Sequence, residues 1–80
     1  AAQARWLSVM GEAHEALCVA LERGEDTFLD PYAAHGLDEF FPVAAEAFFV
    51  APRGLLAAHP AVYALLRDYF GQDTAPHGLA

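Results

Sequence analysis

Asp38-Glu39-Phe40-Phe41-Pro42-Val43-Ala44-Ala45-Glu46-Ala47-Phe48-Phe49-Val50 decides the fold class. Behind Asp38, only Glu39 and Glu46 interrupt an apolar run that has helical length and no two-residue alternation. A helix that is apolar on every side is expected to be buried. Asp38 can cap its start, and Pro42 then falls just beyond the first turn, where it deletes one backbone hydrogen bond and tightens or kinks the entry. Seven residues make nearly two turns, so Glu39 and Glu46 share a face with Val43 between them. Two carboxylates on a buried helix need compensation, because an unpaired buried charge is costly. An Arg, a proton or a metal ion can each supply it. The plainest arrangement pairs one Glu with Arg53 or Arg67 and turns the other to solvent.

Upstream, residues 3–23 read as one amphipathic helix, with Trp6, Met10, Ala13, Leu17 and Leu21 on a single stripe and Gly24 as its stop. Glu25 to Asp30 is a polar turn. Asp30-Pro31-Tyr32-Ala33-Ala34-His35-Gly36 is a connector, since Pro31 biases Asp30 away from helix. Downstream, Pro52 suits the first position of a short helix to Ala58, and His59-Pro60 breaks it. Pro60 opens a last helix with Val62, Leu65, Leu66 and Tyr69 on its stripe, closed by Gly71. Periodicity ends at Gln72. The expectation is an all-α segment of three to four helices over residues 1–73, with residues 74–80 a flexible tail.

Composition narrows the function. The chain has 80 residues, 56% of them hydrophobic, which excludes intrinsic disorder and two independent cores. A domain this small and this apolar leaves greasy surface uncovered, so the sequence reads as part of a larger fold or as an obligate partner-binder. Eleven acidic residues against four arginines give a net charge of −7, with no basic stripe for nucleic acid and none for anionic lipid. No apolar run is long enough to span a membrane. The lone Cys18 suits a reducing compartment, so a cytoplasmic location is expected.

The remaining chemistry is sparse. His14-Glu15-Ala16-Leu17-Cys18 begins like the zinc motif H-E-x-x-H and ends in Cys. His14 and Cys18 share a helix face and both can bind zinc, but no other Cys joins them. The plainer reading is a solvent-side His beside a half-buried Cys. His35 lies near Tyr32 and could line a site. His59 reads as a turn or capping residue, and His77 lies in the tail. Phe40, Phe41, Phe48, Phe49, Tyr63, Tyr69 and Phe70 are expected in the core. There is no nucleophile elbow, phosphate loop or cysteine pair, so the chain holds no complete catalytic set.

Arg5-Trp6, Leu29-Asp30-Pro31-Tyr32-Ala33-Ala34, Glu39-Phe40-Phe41-Pro42-Val43-Ala44-Ala45-Glu46-Ala47-Phe48-Phe49, His59-Pro60-Ala61-Val62-Tyr63-Ala64-Leu65-Leu66 and Gln72-Asp73, in that order, resemble the Mlc titration factor A family over residues 5–73. The resemblance implies the C-terminal helical part of a larger zincin-like metallopeptidase domain whose H-E-x-x-H helix lies upstream. It implies zinc as the cofactor and peptides as substrates, with the Mlc-type repressor as a possible regulatory partner. A Tyr precedes the distal Glu ligand by seven residues in that family, as Tyr32 precedes Glu39 here. Carried over, Glu39 is the third zinc ligand, Tyr32 the hydroxyl near the reacting carbonyl, and Glu46 a supporting carboxylate. Pro42 and Ala45 depart from the family pattern, which has a helix former and a Thr or Ser there, and Pro42 bears on where Glu39 points. The alternative outside enzymology is a non-catalytic, acidic helical module that docks its apolar faces on a partner protein.

Overall fold

The computed structural model describes residues 2–75, and of Ala2 only its backbone. Four α-helices follow in order: α1 (Ala2–Glu22), α2 (Leu37–Val50), α3 (Pro52–Ala58) and α4 (Pro60–Phe70), with a 3-10 helix, Pro31–His35, between α1 and α2. No strand occurs among the described residues, so the expected all-α class holds.

The punctuation residues act where the sequence places them. Gly24 takes φ 72°, and its N–H and that of Glu25 reach back to the carbonyls of Leu21 and Ala20 at 3.0 and 2.9 Å, closing α1 with a left-handed cap. Gly71 takes φ 66° and its N–H donates to the Arg67 carbonyl, closing α4. Pro52 and Pro60 open α3 and α4, where the missing N–H has no intrahelical role. Ala51 and His59 are the single-residue junctions between the last three helices.

The start of α2 differs from the expected one. Gly36, not Asp38, is the cap residue; its carbonyl accepts from the N–H groups of Glu39 and Phe40 at 3.1 and 2.8 Å. Asp38 lies in the first turn and makes no side-chain cap bond; there its charge faces the positive end of the helix dipole. The helix runs on through Pro42, which is exposed, so the lost hydrogen bond falls on the solvent side.

The core forms on one stripe of each helix. Met10 and Leu17 of α1 meet Phe40, Ala44 and Phe48 of α2, Leu55 of α3, and Val62, Tyr63, Leu65 and Leu66 of α4. Phe40, Ala44 and Phe48 are fully buried, but the rest of α2 is not: Val50 is 75% exposed, Phe49 48% and Leu37 42%. The expected all-round burial of this helix is therefore corrected. One stripe meets the core and the opposite face is open. The aromatic expectation divides in the same way: Phe40, Phe48 and Tyr63 are core, Phe41 and Phe70 partly so, and Phe49 and Tyr69 lie at the surface.

The stretch after Gly71 is docked as far as it is described. Ala75 is buried, and its N–H donates to the Tyr63 hydroxyl at 2.8 Å. The Tyr63 hydroxyl donates in turn to Asp73, and the Thr74 hydroxyl donates to the Phe48 carbonyl at 2.6 Å. The tail expected from residue 74 thus begins as a strap over the α2–α4 core. Residues 76–80, with His77, lie outside the described residues.

Candidate functional site

Asp30, Pro31 and His14 build the corner that carries Tyr32. The Asp30 carboxylate accepts the Tyr32 N–H at 2.9 Å, and Pro31 fixes the first helical φ. At the far end His14 Nε2 donates to the Ala34 carbonyl at 2.9 Å, a group that the short 3-10 helix leaves without a partner of its own. The Cys18 thiol points at the same carbonyl at 3.7 Å. Ala33 is fully buried between these ties, and Tyr32 is left half-exposed beside α2.

That arrangement corrects the sequence reading of His14. It is half-buried rather than solvent-side, and its ring stands edge-on to Phe40 at 6.0 Å. His14, by donating to the Ala34 carbonyl, and Cys18, by pointing at the same oxygen, brace α1 against the connector. Among the described residues, no group of three or more His, Cys, Asp or Glu side chains comes together to hold a metal ion.

Tyr32 and Glu39 do come together. Glu39, in the first turn of α2, is half-buried. Its negative charge raises the Tyr32 hydroxyl above the ordinary value of 10.0; partial desolvation, a side-chain hydrogen bond with Glu39 and the charge of Asp38 add to the effect in that order. Tyr32 therefore stays protonated through the neutral range as a hydroxyl donor. The His35 ring, itself exposed, stands edge-on to it at 4.9 Å.

Glu46 is exposed, two turns further on, and does not pair with either expected arginine: Arg67 Nε lies 3.5 Å from Asp68, which also faces Arg5 at 4.0 Å, and Arg53 is exposed on α3. Glu46 instead lines an open groove of about 310 Å³ with Phe28, Asp30, Val43 and Val50. Because Glu39, Val43, Glu46 and Val50 lie on one stripe, the groove begins where the Tyr32–Glu39 corner ends. A second cleft, about 250 Å³ between α1 and the α3–α4 turn, is lined by Val9, Glu12, His59 and Val62, away from that corner. There His59 opens α4 as expected; burial lowers its pKa, and its ring stands edge-on to Phe40 at 6.4 Å.

The sequence did not single out Asp30 or His14 as supports of Tyr32. An Asp before Pro is a legible turn signal, whereas the twenty-residue reach from His14 to Ala34 leaves no local mark.

The model of the family described as glucose-regulated metallo-peptidase M90 matches residues 1–71. An uncharacterized protein of Synechocystis is 36% identical over 66 residues, which cover 82% of this chain and 24% of the relative. The chain thus spans about a quarter of the length of that relative. No solved structure matches it. By its helices, its ordered motifs and this match over nearly its whole length, the chain belongs to the glucose-regulated metallopeptidase M90 family, the family of Mlc titration factor A.

Proposed function

We propose that residues 1–73 form the C-terminal helical part of a cytoplasmic zinc-dependent peptidase, with Glu39 as the distal zinc ligand and Tyr32 as the hydroxyl donor to the reacting carbonyl. The observation that supports this most directly is the contact between Tyr32 and Glu39 in a chain of a metallopeptidase family.

The residues fit one part of a zinc site. Glu39 is half-buried, faces a neutral hydroxyl rather than an arginine, and sits on the first turn of a helix anchored to the Gly36 carbonyl. It offers one carboxylate oxygen, and the remaining donors and the general base must come from outside these residues. Zinc, when bound, polarises a peptide carbonyl and lowers the pKa of its water. Tyr32 keeps its proton, which faces Glu39 here, and as the proposed donor would give that hydrogen bond to the oxygen on which negative charge develops. Asp30 and His14 fix the backbone on either side of it, and His35 bears on its ring. Glu46 remains a supporting carboxylate on the same stripe. Alone, the 80 residues are inactive and bind zinc weakly; peptides are the substrates of the whole protein, and the Mlc-type repressor is a regulatory partner.

The test is made in the full-length polypeptide that carries these residues. Glu39→Gln lowers zinc occupancy sharply and abolishes peptide hydrolysis. Tyr32→Phe keeps the zinc and lowers kcat by roughly 10²- to 10³-fold. A Glu39→Gln protein with one zinc per chain and an undiminished rate would remove the assignment.

A further inference from the structure

The chain measures 36 × 33 × 15 Å, and its helices enclose a core in which Phe40, Phe48 and Leu66 are fully buried. The face of α2 opposite that core is open.

That side is a shaped seat. Val43, Glu46 and Val50 form its floor, and Phe28 forms a wall. The Phe28 ring lies where a Cβ at position 54 would stand, 2.2 Å from its nearest atom, so the absence of a side chain at Gly54 lets the wall settle against α3. Val50 is 75% and Phe28 43% exposed, and the two carboxylates of the groove, Asp30 and Glu46, have no basic residue lining it with them. The groove thus suits an apolar occupant with a cation at its edge. A second copy of a chain with net charge −7 meets that requirement badly, because two acidic surfaces would face each other. Three quarters of the length of the matched relative lies beyond the part this chain covers.

We infer that this groove seats a helix from the polypeptide outside residues 1–80, its apolar side chains on Val43 and Val50 and a Lys or Arg between Glu46 and Asp30. The inference rests on the reading of the chain as part of a longer peptidase. Seating that helix covers the open face of α2 beside the Tyr32–Glu39 corner, so the same contact that covers the groove also registers the two halves of the proposed zinc site.

Thiol labelling reads the occupancy directly. In a Cys18→Ser background of the full-length polypeptide, Val50→Cys and Glu46→Cys are reacted with a charged maleimide, with exposed Glu22→Cys as the reference. A covered groove makes the first two react at least ~10-fold more slowly than the reference, with protection unchanged on dilution. Equal rates overturn the inference, and protection that disappears on dilution overturns it in favour of a second copy. Zinc content, measured on the Val50→Cys protein, which leaves Glu39, Tyr32 and Glu46 in place, keeps the two claims apart: protection without zinc leaves the seat standing and removes the metal reading, whereas zinc bound through Glu39 with an unprotected groove does the reverse.

Discussion

His14 and Ala34, twenty residues apart, are joined by an Nε2–H···O=C hydrogen bond of 2.9 Å that ties the middle of α1 to the end of the 3-10 helix. That bond closes a carbonyl which the short helix cannot satisfy, and it sets the position of Tyr32 two residues earlier. Replacing His14 by Ala leaves the carbonyl without this donor. The expected loss of stability is about 1–3 kcal/mol, read by urea denaturation, with faster amide exchange confined at first to residues 31–36.

The contact of Tyr32 with Glu39 is open to optical titration. In Glu39→Gln the negative charge that chiefly raises the Tyr32 hydroxyl is gone, so Tyr32 ionises at lower pH than in the unaltered chain. The phenolate absorbance difference between the two proteins carries this shift, and the difference vanishes when both also carry Tyr32→Phe. An unchanged titration would separate the two residues.

His59 makes stability depend on pH. Burial lowers its pKa in the folded state, so the unfolded chain takes up the proton first as pH falls. Its contribution is full above the ordinary value of 6.5 and is lost progressively below it, down through the lowered folded value. His59→Gln should therefore show a shallower decline of the urea midpoint between pH 7 and 5 than the unaltered chain, since Gln does not titrate.

Tyr63 holds the strap after α4. Tyr63→Phe keeps the buried ring but removes the oxygen that accepts the Ala75 N–H and donates to Asp73. A buried N–H without a partner costs about 1–3 kcal/mol. Proteolysis after residue 71 should speed up in this variant while the helices keep their circular dichroism.

The helices were legible because their punctuation is covalent and local. Gly24, Pro52, Pro60 and Gly71 act within a turn of where they stand, and the α1 stripe from Trp6 to Leu21 names its own buried side. The orientation of α2 was not legible. When nearly every position is apolar, hydrophobicity does not say which stripe meets the core. Asp38 was misread because Gly36 starts the helix two residues earlier than an acidic cap would. The seven-residue step from Tyr32 to Glu39 could be counted, but their meeting depends on a 3-10 helix held by a histidine twenty residues upstream. The docked strap is held by the Tyr63 hydroxyl and by the Thr74 hydroxyl on the Phe48 carbonyl, contacts with no period to detect.

Single-residue junctions at Ala51 and His59 leave α2, α3 and α4 almost no slack. Closing such short connections costs little chain entropy, whereas bringing α1 onto them closes the longer loop from Glu22 to Leu37. The order of assembly follows: the last three helices condense first, as one local nucleus, and α1 arrives late. The corner around Tyr32 is then complete only once His14 reaches Ala34.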